Sequence, residues 1–118
     1  MSGRLTTHVL DTALGKPAAG VKVQLWRKEG AGAPGTLLAE TATNADGRLD
    51  APLLAGETMA AGEYELVFFV RDYFVRTQPS PAAFLDTVPI RFLIASPGEH
   101  YHVPLLIAPG GYSTYRGS

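Results

Sequence analysis

Three histidines and one arginine are the groups in this sequence best suited to polar chemistry at neutral pH. The histidines are His8, His100 and His102. Imidazole exchanges protons near pH 7 and also ligates metals. Their spacing carries information, because residues two apart on an extended strand share a face. Over Leu5–Leu10 one face carries Leu5, Thr7 and Val9, and the other Thr6, His8 and Leu10. Over His100–Ile107 one face carries Tyr101, Val103, Leu105 and Ile107, and the other His100, His102, Pro104 and Leu106. The first set of each pair is the natural core face, so the histidines point outward. They share that side with Leu10 and Leu106, which are ill suited to water. Such a face fits a surface covered by something else, such as a partner subunit. Isolated exposed leucines are also common without meaning.

Three chemistries are open to these histidines. The first is none: hydrogen-bonded structural imidazoles. The second is a metal site, in which His100 and His102 share one strand face and His8 completes a three-histidine zinc centre with an open position. No acidic residue stands obviously behind them to orient the rings. The third is metal-free acid–base catalysis, in which a neutral imidazole takes a proton from water and a neighbouring cation holds its pKa down. That reading needs a partner for developing negative charge, and Arg48 is the candidate. It directly follows Asn44-Ala45-Asp46-Gly47, a turn-forming run that can project its guanidinium. A solvated loop arginine is the plain alternative. The chain closes on Tyr115-Arg116-Gly117-Ser118 just after a strand signal, so pairing of that strand would hold these groups in place. Nothing around Ser118 resembles a nucleophile elbow.

The elements that must position these groups are short. Among 118 residues, 13 glycines and 9 prolines leave little room for long helices. The pieces between them read as strands over Leu5–Leu10, Val21–Leu25, Glu63–Val70, Val88–Ile94, His100–Ile107 and Tyr112–Arg116. Gly110-Gly111 fits a hairpin connection, and the glycine-rich Gly30–Gly35 a peripheral loop. One helix, of at most about two turns, is expected over Pro79–Asp86, with proline near its start where a missing N–H costs least. Trp26, Tyr64, Phe68, Phe69, Tyr73 and Phe74 are expected in the core, and Arg71, Asp72 and Arg76 in surface ion pairs. Short strands at turn-marked spacing argue a β-sandwich, in one domain spanning residues 1–118.

Composition excludes several classes. Ten Lys and Arg against eleven Asp and Glu give a net charge of −1, so no basic excess points to nucleic acid. The absence of cysteine removes disulfides and thiol catalysis. No apolar run approaches the ~20 residues of a membrane span, and no signal peptide is evident at the start. The expectation is a cytoplasmic protein.

Several segments together resemble the 5-hydroxyisourate hydrolase family, the transthyretin-related enzymes of urate breakdown. They are Leu5-Thr6-Thr7-His8-Val9-Leu10-Asp11-Thr12 with Ala13–Ala18, Thr43-Asn44-Ala45-Asp46-Gly47-Arg48, His100-Tyr101-His102-Val103-Pro104-Leu105-Leu106, and Tyr112–Ser118. The resemblance covers essentially the whole chain. Its most specific part is the closing Tyr-Arg-Gly-Ser, which separates the enzyme branch from transthyretin, a hormone carrier of the same fold. It implies an all-β, transthyretin-like two-sheet sandwich of about eight strands with one short helix. It implies a homotetramer, a dimer of dimers, with sites where dimers meet. It implies hydrolysis of 5-hydroxyisourate, with His8, Arg48 and His102 as catalytic residues and His8, Arg48, Tyr115, Arg116, Gly117 and Ser118 as substrate-binding residues. His100 falls outside the set. A small-ligand carrier without catalysis is the alternative.

The resemblance implies no metal and no other cofactor, which a chelator tests. Treatment with EDTA is expected to leave hydrolysis of 5-hydroxyisourate unchanged. Loss of activity restored by zinc would favour the three-histidine centre.

Overall fold

Alternation of buried and less buried side chains runs the length of β1 (Arg4–Asp11) and opens β3 (Lys22–Lys28), as period-two patterning requires of strands with one covered face. The structure is a computed structural model, described here for residues 3–30, 32–78 and 84–117. The other strands are β2 (Lys16–Pro17), β4 (Thr36–Ala42), β5 (Leu54–Ala55), β6 (Gly62–Phe69), β7 (Thr87–Ile94), β8 (Tyr101–Ala108) and β9 (Gly111–Thr114). One sheet has the order β2-β1-β8-β9, with β5 also pairing β1, and the other has the order β4-β3-β6-β7. The two-sheet, all-β sandwich expected from the sequence is therefore realised. Among the described residues nine strands stand where about eight were expected, two of them only two residues long.

The facing sides of the sheets form one core. Leu5, Val9, Leu105 and Ile107 enter it from the first sheet, and Val23, Leu25, Leu66, Phe68 and Val88 from the second. The parity argument for Leu5–Leu10 and His100–Ile107 thus holds: their aliphatic sides are inside. Tyr64, Phe68, Tyr73 and Phe74 are buried as expected. Trp26 and Phe69 are only half-buried on the outer side of the second sheet. Trp26 Nε1 donates to Gln24 Oε1 at 3.0 Å, and Lys22 Nζ sits 4.8 Å from the Phe69 ring centre.

The α-helix found among the described residues lies before the segment where one was expected. It is α1 (Val70–Thr77), following β6 without a break. Val70, Tyr73 and Phe74 form its buried side, with the i, i+3, i+4 spacing of an amphipathic helix. The apolar run of β6 hides that change of period. Of the expected Pro79–Asp86 segment, Pro79–Ala83 lie outside the described residues, and Phe84–Asp86 are irregular. Strand β4 was also unforeseen, since nearly all of its side chains are exposed and show no alternation. The expected ion pairs of Arg71, Asp72 and Arg76 are not formed among the described residues. Arg76 instead donates to the carbonyls of Ala19 and Gly20 and lies 5.5 Å from the Tyr73 ring centre.

A buried polar clamp fastens α1 to the end of β1. The Asp11 carboxylate accepts from the Ala13 and Leu14 N–H groups and from the Tyr73 hydroxyl at 2.7 Å. Burial and the neighbouring Asp11 carboxylate push the Tyr73 hydroxyl up to about 12, so it remains a donor at any physiological pH. No helix among the described residues is long and apolar enough to cross a membrane.

Tyr73→Phe keeps the ring but leaves Asp11 Oδ2 short of a donor inside the protein. It is expected to cost about 1–3 kcal/mol, read as a lower midpoint in urea unfolding with an unchanged slope. An unchanged midpoint would show that the clamp contributes nothing to stability.

Candidate active site

Strands β1 and β8 lie side by side and parallel, with Thr6 opposite His102, His8 opposite Pro104 and Leu10 opposite Leu106. Residues opposite one another point to the same side of a sheet. His8, His102, Leu10 and Leu106 therefore share the outer face of the first sheet, as the alternation predicts, and all four are half-buried. His102 is held by Thr6, whose Oγ1 lies 2.8 Å from Nδ1.

The turn after β4 delivers Arg48 to the other edge of β1. Asn44 organises it: its Oδ1 accepts from the N–H groups of Asp46 and Arg48 at 2.9 and 3.1 Å, and its Nδ2 donates to Asp50. Gly47, at φ +75°, lies so close to the Val9 carbonyl that a Cβ would collide with it. Only glycine fits both the left-handed backbone and the approach. Its carbonyl then accepts from Val9 N at 2.8 Å, and Arg48 forms an isolated antiparallel bridge with His8. His8 Nε2 lies 2.9 Å from the Asp46 carbonyl. A carbonyl only accepts, so Nε2 carries the hydrogen and Nδ1 of the neutral ring holds the lone pair.

A third segment reaches the site from the chain's end. The β8–β9 register, with Leu105 opposite Thr114, continues to a bridge between His102 and Gly117. Gly117 N donates to the His102 carbonyl at 2.7 Å. A Cβ on Gly117 would stand 2.8 Å from His102 Cδ2, so the missing side chain makes room for the imidazole.

The resulting cleft has a volume of about 400 Å³, and His102, Arg48 and Thr6 line it together with Arg4, Asp50 and His100. His8 flanks this cleft without being part of its lining. Loss of water contact pushes the His102 pKa below its ordinary value, with electrostatic repulsion from Arg48 and, less, from the His8 side adding to the effect. A neutral imidazole thus stands beside a permanently charged guanidinium, an arrangement able to exchange a proton and bind negative charge at one point.

Of the residues named from sequence, His8, Arg48, His102 and Gly117 are brought together. Tyr115 and Arg116 are not. They border a separate apolar recess of about 380 Å³ beside Phe92 and Leu93. Arg116 donates to Glu99 and to the His100 carbonyl, and its guanidinium lies 4.1 Å from the Tyr101 ring centre. Ser118 lies outside the described residues. Among the described residues no three histidine or acidic side chains are grouped as a metal ion would require. Sequence reading missed Thr6 and the Asp46 carbonyl. The first was detectable only through the β1–β8 register, and the second is a backbone group that no residue type reveals.

Fold and site together define a transthyretin-like sandwich bearing a histidine–arginine cluster on its outer face. The HIUase/Transthyretin family matches residues 5–117, and the chain belongs to that family. It is 59% identical to the 5-hydroxyisourate hydrolase of Halalkalibacterium halodurans, with both chains covered in full. A solved (S)-allantoin synthase superposes with a TM-score of 0.90 at 45% identity, covering 98% of this chain. This chain spans 44% of that longer protein. Transthyretin from Sparus aurata superposes with a TM-score of 0.85 at 27% identity, covering 97% of this chain and 96% of its own.

Removing the Arg48 charge should release part of the depression of the His102 pKa. In an NMR titration, His102 of the parent protein is expected to titrate below the usual histidine value of about 6.5. Arg48→Gln is expected to move it upward, though not fully, because burial remains. An unmoved His102 titration would show that the two groups do not sense each other.

Proposed function

We infer that this chain is an enzyme of urate degradation that hydrolyses 5-hydroxyisourate to 2-oxo-4-hydroxy-4-carboxy-5-ureidoimidazoline. The observation that carries the reading is the convergence of His8, Arg48 and His102 from three separate segments onto one outer face, in a chain 59% identical throughout to a 5-hydroxyisourate hydrolase. The hydrolysis opens the six-membered ring at an amide. Water oxygen adds to the ring carbonyl carbon, the carbon–nitrogen bond breaks, and the departing nitrogen takes a proton while a carboxylate forms.

His8 and His102 position the water, and one of the two takes its proton. Both tasks call for neutral imidazoles, and the lowered pKa of His102 supports that. Arg48 binds ring oxygens and stabilises the charge that develops on the carbonyl oxygen. Gly117 forms part of the wall beside His102, supported by its N–H bond to the His102 carbonyl. In the same proposal Tyr115, Arg116 and Ser118 complete the pocket in the assembled protein. The proposed assembly is a homotetramer, a dimer of dimers, covering this face. It is supported by Leu10 and Leu106, which lie opposite one another beside the histidines with part of their surface in water. The cytoplasmic setting expected from the sequence remains part of the proposal.

Freshly prepared 5-hydroxyisourate, followed spectroscopically against its spontaneous decay, tests the reading directly. Turnover is expected with the parent protein. His102→Ala and Arg48→Ala are each expected to lower it by about 10²-fold or more while leaving the fold intact. Near-normal rates in both folded variants would reject the roles. Tight retention of an aromatic ligand with no turnover would identify a carrier instead.

A further inference from the structure

Thr6 is the side chain in direct contact with His102 that the proposed reaction leaves without a task. Its Oγ1 stands 2.8 Å from His102 Nδ1, and both residues are half-buried. The contact is built into the sheet, because the parallel register sets Thr6 and His102 opposite one another. A β-branched side chain on a strand has few rotamers, so the hydroxyl has little freedom to turn elsewhere.

Two proton arrangements satisfy the distance. In one, His102 Nδ1–H donates to Thr6 Oγ1, and the hydroxyl hydrogen needs another acceptor. Among the described residues Thr6 Oγ1 has no other hydrogen-bond partner. In the other, the Thr6 hydroxyl donates into the Nδ1 lone pair, and the imidazole hydrogen sits on Nε2. Only the second uses the hydroxyl hydrogen within the protein; in the first that hydrogen is left to water in the cleft, which Thr6 lines.

We infer that Thr6 is a positioning residue that holds neutral His102 in its Nε2–H form, so that His102 offers the cleft a hydrogen-bond donor. His8 also carries hydrogen on Nε2, but spends it on the Asp46 carbonyl and keeps the Nδ1 lone pair. The nitrogen left over is thus an acceptor on His8 and a donor on His102. The consequence deepens the hydrolase reading and rests on it: His8 accepts the proton of water, and His102 donates a hydrogen bond to a substrate oxygen or nitrogen.

Imidazole ¹⁵N shifts of labelled protein, recorded above the His102 pKa, report the tautomer without any substrate. The parent protein and Thr6→Ser are expected to show His102 with hydrogen on Nε2. Thr6→Val keeps the shape but not the hydroxyl. It is expected to show a mixture of tautomers and to lower kcat about tenfold, the worth of one hydrogen bond, with KM little changed and Thr6→Ser restoring most of the rate. Hydrogen on Nδ1 in the parent protein would overturn the assignment, whether or not Thr6→Val folds. So would a folded Thr6→Val with an unaltered tautomer and full kcat. A parent protein inactive on 5-hydroxyisourate would refute the hydrolase reading alone, since the tautomer pattern decides the role of Thr6 independently.

Discussion

The parallel pairing of β1 with β8 is the constraint on which the rest of the site depends. The two strands come from opposite ends of the chain, with Thr6 and His102 96 residues apart in sequence. Parallel neighbours cannot be joined by a tight hairpin, and here the whole second sheet lies between them in the chain. The register sets His102 opposite Thr6 and therefore one pleat repeat from His8 on the same face. A slip by one residue would turn every side chain of one strand over. Leu105 and Ile107 would leave the core, and His102 would enter it. The apolar inner face thus enforces the polar outer face. The same burial that stabilises the sandwich keeps the two imidazoles on one side.

The other contributions depend on that pair without sharing its geometry. Arg48 comes from a turn, where loop entropy would ordinarily leave a long side chain's backbone ill defined. Here the Asn44 side chain closes the turn internally, and Gly47 allows it to lie directly against β1. Buried Thr43, just before the turn, accepts from Val21 N and donates to the Ala18 carbonyl through its hydroxyl. The turn is a short extension of the sheet rather than a free loop. Gly117 arrives by continuation of the β9 register past the last regular pair. In both places glycine serves because a Cβ would occupy space already taken, by the Val9 carbonyl in one case and the His102 ring in the other.

The sequence made much of this legible, and the failures share a cause. Alternation assigned the inner and outer faces of β1 and β8 correctly, because burial on one side leaves a period of two in the residue types. It failed where burial does not impose that period. β4 is exposed on nearly every residue, so its sequence carries no alternation. α1 begins where the apolar end of β6 stops, so the change from period two to i, i+3, i+4 falls inside one unbroken hydrophobic run. Within the site, residue types pointed to His8, Arg48 and His102. The groups that orient them, Thr6 and the Asp46 carbonyl, follow from strand register and backbone path, which no single segment encodes.

The electrostatic balance of the proposed site explains why these groups belong together. A guanidinium remains charged throughout the accessible pH range. Placed beside His102, it disfavours protonation of the imidazole, as does the loss of water around the ring. The same guanidinium attracts negative charge building on a carbonyl oxygen. In the proposed hydrolysis one cation would therefore serve twice: it adds to the burial that lowers the His102 pKa before reaction, and it would stabilise the oxyanion during it. Nearby acid would defeat both effects by raising the imidazole pKa and competing for the guanidinium. Asp50, the acidic residue on the cleft lining, has one carboxylate oxygen accepting from Asn44 Nδ2 and makes no ion pair with Arg48 among the described residues. The turn that presents Arg48 thus also engages the carboxylate on the cleft lining.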